Sequence, residues 1–244
     1  MKTQLISHAR SGSTYLYDVI YHSILASNPH TFVFNEPFNM SQRKLRDLSD
    51  DEKDFLLQSR LEKLVKLPHV YQKSHIHHYN FLNTRQMEYY KTSEWYNIFL
   101  YRRDLFESTM SQVISDKTKM WIRYEELDRP PLITSRDFAR VLKVQIEARE
   151  ELFNLKYFVP NEIVIYEDLV FVRETDYESL AISEIIGPFV SGKELVERAP
   201  DKKEIVSNYD QLLDQYYKTV KDMTFENFEL DGRMITATRL EEAI

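Results

Sequence analysis

The chain has no cysteine among its 244 residues, which excludes disulfides, thiolate metal ligands and a thiol nucleophile and leaves the redox compartment open. No apolar run approaches the roughly 20 residues of a membrane span, and the N-terminal stretch lacks the apolar core of a secretory signal. The expectation is a cytoplasmic protein without stable membrane insertion. Positive charge is in deficit: 32 basic against 39 acidic residues leave a net charge of −7, which argues against a general nucleic-acid binder. Internal repeats and low-complexity segments are also missing. Hydrophobic residues at 43% and aromatics at 13% suffice to bury a sizeable core, so one domain over 1–244 is expected. Glycine is scarce, with only four, which makes the placement of Gly12 informative.

Gly12 lies in a stretch that reads strand, polar turn, helix. Leu5 and Ile6 form a short apolar run suited to the centre of a sheet, Arg10, Ser11 and Gly12 form the turn, and Ser13 and Thr14 open a helical pattern. Leu16, Val19, Ile20 and Ile24 share one face of that helix. The first N–H groups of a helix have no partner within it, and the aligned peptide dipoles place partial positive charge there. An anion such as phosphate settles on those donors. Ser11, Ser13 and Thr14 add hydroxyls, and Arg10 adds a full charge. The nucleotide-triphosphate loop G-x-x-x-x-G-K-[ST] does not match, because there is no Gly-Lys pair and no second glycine in frame. An ordinary Ser/Gly turn ahead of a capped helix is the competing reading.

Further along, Thr31–Phe34 reads as a strand ending at Asn35-Glu36-Pro37. Proline cannot continue a ladder, so Glu36 falls at a strand tip, where sites of open α/β sheets gather; a solvated acid in a turn is the alternative. Residues 41–67 read as a charged helical cover with a broken stripe through Leu45, Leu48, Phe55, Leu56, Leu61, Leu64 and Val65. Val70–His78 reads as a strand entering a polar loop, with alternation placing Lys73, His75 and His77 on one face. A metal site on His75, His77 and His78 lacks a carboxylate or cysteine at useful local spacing, so no metal is expected. Lys73 and His75 facing a bound anion, or solvated loop histidines, remain as readings. Trp95–Tyr101 is a buried-strand pattern followed by Arg102-Arg103-Asp104 and a helix bearing Ser111, a second candidate anion site. Alternatively, those arginines pair with Asp104 or Glu107. A long helix over 135–155, a strand over Glu162–Tyr166 and a helix over Lys203–Met223 complete the pattern. Strands alternating with helices predict a three-layer α/β fold with a mostly parallel central sheet, a phosphate-loop-like strand-turn-helix and helices on both faces.

Three stretches together resemble the sulfotransferases that use 3′-phosphoadenosine 5′-phosphosulfate. Ala9-Arg10-Ser11-Gly12-Ser13-Thr14-Tyr15 is similar to their loop for the 5′-phosphosulfate, P-[KR]-S-G-[ST]-[ST], with Ala9 where proline is usual. Arg103, with Ser111 eight residues on, resembles the motif that holds the 3′-phosphate. Ile165-Tyr166-Glu167-Asp168-Leu169 resembles the Y-E-D-L strand end whose tyrosine approaches the adenine. Glu36-Pro37 resembles the E-P of carbohydrate-type and bacterial glycolipid-type members, in which the glutamate is the base. The segment from Ser111 through Thr118 to Trp121 resembles the glycolipid type as well. Lys73-Ser74-His75 resembles the K-T-H of cytosolic members, in which the histidine is the base, so this chain carries both candidates. Lys202-Lys203 with Asn208-Tyr209 resembles the family's C-terminal segment. The motifs occur in family order and cover the first 170 residues in pieces.

The resemblance implies a sulfuryl transferase using 3′-phosphoadenosine 5′-phosphosulfate, releasing adenosine 3′,5′-bisphosphate without a metal. It further implies transfer to a hydroxyl of a carbohydrate, lipid or small metabolite. Glu36 is the first-choice base and His75 the second, and Lys73 with Arg10 and the loop N–H groups would stabilise charge on the leaving oxygens. Arg10, Ser11, Gly12, Ser13, Thr14 and Tyr15 would hold the 5′ end of the donor, Arg103 and Ser111 its 3′-phosphate, and Tyr166 its adenine. The alternatives are a nucleotide or small-molecule kinase with a degenerate phosphate loop and a non-catalytic anion-binding adaptor.

Overall fold

The computed structural model describes residues 1–40, 45, 47–91, 94–119, 131–154, 158–167, 202–221, 224–230 and 233–239. Trp121, Asp168 and Leu169, with part of the 41–67 segment, lie outside the described residues. The chain forms two compact units, Met1–Tyr101 with Asn154–Glu194, and Arg102–Phe153 with Leu195–Ile244.

The first unit carries the sheet. Strands β1 (Lys2–Ser7), β2 (Phe32–Asn35), β3 (Val70–His75), β4 (Tyr96–Tyr101) and β5 (Glu162–Ile165) pair in the order β2-β3-β1-β4-β5. Every pairing is parallel, as the three-layer α/β expectation requires. Chain order reverses at β1, which has β3 and β2 on one side and β4 and β5 on the other. In open parallel sheets, ligands bind outside the carboxyl ends of the strands at such a reversal.

Strand alternation divides the core between the two sheet faces. Leu5, Tyr71, Ile98, Leu100 and Val164 pack with Leu16, Ile20 and Ile24 of α1 (Ser13–Ser27). The opposite face holds a buried polar cluster. Gln72 Nε2 donates to Gln4 Oε1 at 3.0 Å, and the Tyr79 and Tyr90 hydroxyls donate to the same oxygen at 2.9 and 2.6 Å. Phe38 and Phe158 close around those two tyrosines. Tyr79 belongs to a 3₁₀ segment (Ile76–Phe81), and Tyr90 to α3 (Thr84–Lys91). Between β2 and β3 runs α2 (Asp50–Lys66), started by a capping box in which Ser49 Oγ accepts from the Glu52 N–H and Glu52 accepts from the Ser49 N–H. Its inward stripe is Leu57, Leu61 and Leu64, which leaves Phe55, placed in the stripe by the sequence pattern, 77% exposed.

The second unit is mainly helical. Leu105, Phe106, Met110, Val113 and Ile114 of α4 (Leu105–Thr118) pack against Phe138, Val141, Leu142 and Ile146 of α5 (Ser135–Phe153). The helix expected over Lys203–Met223 is two: α6 (Lys202–Ile205) and α7 (Tyr209–Val220). The break falls at Asn208, whose carboxamide donates to the Ile133 carbonyl at 2.7 Å, a tertiary bond that helix periodicity does not encode. Two antiparallel strands follow, β6 (Thr224–Leu230) and β7 (Arg233–Arg239), beyond the last element that the sequence pattern assigned. No described helix is long and apolar enough to cross a membrane.

Candidate functional site

The turn after β1 is shaped around Gly12. Gly12 is the N-cap of α1 in a left-handed conformation (φ 82°) and contributes no capping side chain. A Cβ there would lie 2.2 Å from two ring carbons of Tyr166, so only glycine fits beneath that ring. No acidic residue occupies the first turn of α1. The Ser11 hydroxyl is fully buried and has no hydrogen-bond partner among the described residues. An unmade bond of this kind costs about 1–3 kcal/mol, and a ligand oxygen on the loop would supply the missing acceptor. Arg10 and Glu36 are also held at positive φ, 61° and 53°, unusual for residues with a Cβ. Strain stored at two strand-end turns is the pattern of a site in which geometry is imposed for function.

Glu36 follows β2, and its N–H donates to the Lys73 carbonyl at 2.7 Å. That bond turns its carboxylate toward β3. Oε1 stands 3.4 Å from Lys73 Nζ and 3.3 Å from His75 Nε2, while Oε2 accepts from Asn39 Nδ2 at 2.8 Å. Burial alone would raise the Glu36 carboxyl, but the hydrogen bond and charge of His75, with Lys73 and Asn39, together hold it well below the usual carboxylate range. Lys73 is buried, and that burial lowers its ammonium, with Glu36 partly restoring it. The same Nζ donates to Thr14 Oγ1 at 3.3 Å, which joins the Glu36 carboxylate to the first turn of α1. His75 Nδ1 lies 3.1 Å from Ser7 Oγ, its register partner across β1 and β3.

No family model matches this chain, and no curated protein matches its sequence.

The structure thus brings Thr14, Glu36, Lys73 and His75 into one cluster at the carboxyl ends of β1, β2 and β3, and sets Tyr166 over Gly12. Thr14 is exposed and Glu36 and His75 are half-buried, so the cluster opens to solvent. Ser13 is buried in the first turn of α1, and Tyr15 packs against the α1 core. Arg103 and Ser111 belong to the second unit. Arg103 is exposed in the turn between β4 and α4, and Ser111 is buried one to two turns into α4. Of the other charges there, Asp104 caps α4 by accepting from the Glu107 N–H at 2.8 Å, and Glu107 receives Arg102 at 3.9 Å and the Lys202 ammonium. No group of three His, Asp or Glu among the described residues is arranged to hold a metal ion.

Two partners of this cluster escaped sequence reasoning. Ser7 reads as the last residue of an apolar strand, and only its register opposite His75 gives it a role. Asn39 follows Glu36 by three residues, a turn spacing that signals a carboxylate partner once the Glu-Pro turn is suspected. Strand alternation stops short of His77, because β3 ends at His75 and the 3₁₀ segment replaces a two-residue period with three. His77 instead stacks on His75 with ring centres 5.7 Å apart.

His78 is buried, and its Nδ1 accepts the His75 N–H at 3.3 Å, which requires that nitrogen unprotonated. Burial, with the charges of His77 and His75, pushes it down to about 3 from an ordinary 6.5. A histidine lowered on folding stabilises the protein above its unfolded value and loses that contribution as pH falls. Urea midpoints are therefore expected to fall from pH 6.5 toward pH 3, and His78→Asn to flatten the upper part of that slope, above the range where Glu36 contributes. An unchanged slope in the variant would remove His78 from the account.

Proposed function

We propose that this protein transfers a sulfuryl group from 3′-phosphoadenosine 5′-phosphosulfate to a hydroxyl of a carbohydrate, lipid or small metabolite. One observation carries the reading: Lys73 Nζ contacts both Thr14 of the loop and the Glu36 carboxylate, which itself meets His75. Anion-binding loop, cation and proton acceptor are thereby linked through consecutive polar contacts. The donor, when bound, supplies an activated sulfuryl group whose transfer leaves negative charge on the departing phosphate oxygens.

The residues answer those demands in turn. The N-terminal end of α1, the Ser11 hydroxyl and Arg10 bind the phosphosulfate, and Lys73 stabilises charge on the leaving oxygens. The acceptor hydroxyl gives up its proton to the Glu36 carboxylate, whose Oε1 lies 3.3 Å from His75 Nε2, so that the two groups share it. Arg103 and Ser111 take the 3′-phosphate and Tyr166 the adenine; these three assignments rest on the motifs.

Adenosine 3′,5′-bisphosphate at about 100 times its dissociation constant is expected to stabilise the protein by about 2.7 kcal/mol. Absence of any thermal shift would defeat the proposal. Labelled donor offered against pooled hydroxyl acceptors then separates the readings. Transfer supports a sulfotransferase, binding without transfer an adaptor, and magnesium-dependent turnover of ATP a kinase.

A further inference from the structure

Arg149 is fully buried in α5, among positions that periodicity assigns to the apolar stripe. Its Nη1 donates to the Gln145 carbonyl and side-chain oxygen, both at 3.2 Å, within its own helix. Its Nη2 leaves the helix and donates to the Arg102 carbonyl at 2.9 Å and to Ser108 Oγ at 2.8 Å. Ser108 Oγ donates in turn to the Leu105 carbonyl at 3.0 Å, so its lone pair is directed to the guanidinium. One rigid fork therefore ties the residue before Arg103 to the face of α4 that carries Ser108 and, one turn on, Ser111. Ser111 is itself fixed through its carbonyl, which accepts from Ser115 Oγ at 2.9 Å.

We propose that Arg149 is a positioning residue that sets the preference for nucleotides bearing a 3′-phosphate, by holding the Arg102–Arg103 turn and the Ser108–Ser111 face of α4 in one fixed relation. The inference rests on the sulfotransferase reading, in which Arg103 and Ser111 share that phosphate. Two donors from different parts of the chain grip one phosphate well only if their separation is set in advance, since any freedom between them must be lost on binding. A buried guanidinium with planar, fixed donors supplies that constraint, and a lysine, with a single flexible ammonium, does not. The positive charge of Arg149 beneath the start of α4 also favours an anion there.

The test compares adenosine 3′,5′-bisphosphate with adenosine 5′-monophosphate by calorimetry on the full chain. Wild type is expected to favour the bisphosphate. Arg149→Met is expected to weaken the bisphosphate about tenfold or more while changing the monophosphate less than about twofold, which collapses the preference. Arg149→Lys recovers only part of it. Ser108→Ala, which removes one anchor and leaves the charge in place, shifts the preference in the same direction by a smaller factor and decides the matter if Arg149→Met does not fold. Equal losses for both nucleotides would mark Arg149 as merely structural, and an unchanged preference in Ser108→Ala and Arg149→Met would overturn the proposal while sparing the functional reading. A wild-type protein that binds neither nucleotide would overturn both.

Discussion

Gly12→Ala is expected to abolish binding of adenosine 3′,5′-bisphosphate and to destabilise the protein by about 3 kcal/mol. Two causes add. A side chain at φ 82° enters the left-handed region, which costs about 1–2 kcal/mol. The new Cβ would also sit 2.2 Å from two carbons of the Tyr166 ring, and relieving such overpacking costs about 1–3 kcal/mol. For a chain of 244 residues that total lowers the melting temperature by roughly 6–12 °C. Binding is expected to fail for a separate reason: the ring or the loop must move, and either shift disturbs the first turn of α1 and the Ser11 hydroxyl, which the proposal assigns to the donor.

The steric and backbone parts can be separated. In a Tyr166→Ala background the ring is gone, so Gly12→Ala should cost only the backbone strain. The double-mutant cycle should then show a coupling of about 1–3 kcal/mol. Additive effects of the two substitutions would mean that Tyr166 does not cover Gly12 in solution.

Glu36→Gln and His75→Gln should each reduce sulfuryl transfer by about 10²–10⁴-fold, the ordinary contribution of a general base. Donor affinity is expected to persist in both, because the loop after β1 is untouched. Their combination should be no worse than the worse single variant. The reason is the 3.3 Å contact between Glu36 Oε1 and His75 Nε2, with Nδ1 engaged by Ser7 Oγ. Groups that handle one proton as a unit fail together once either is lost. If the two losses multiply instead, the residues act independently and the pair is wrongly drawn. Full turnover in either variant would remove that residue from the proton path.

This second result also bears on the two bases that motif resemblance left side by side. Glu36-Pro37 and Lys73-Ser74-His75 resemble different branches of one family, and sequence offers no way to choose between them. In the fold the question changes form. Lys73 and His75 flank the same carboxylate oxygen, so the two candidates are neighbours in one cluster.

The parts of this protein that the sequence settled are those in which near neighbours along the chain decide the outcome. Leu5 to Leu16 reads as strand, turn and helix because a short apolar run, a glycine and a 3.6-residue stripe are all local signals, and the alternation of such units identified a parallel α/β sheet. Only the folded chain could decide what lies across from what. Ser7 meets His75 through strand register, Asn208 breaks a helix by bonding to Ile133, and Gln4 and Gln72 find Tyr79 and Tyr90 on a buried face. Arg149 looks like a misplaced charge in an apolar stripe until α4 packs against it. Periodicity and turn chemistry act over a few residues, whereas register, burial of a polar group and the satisfaction of its hydrogen bonds depend on partners that packing alone brings near.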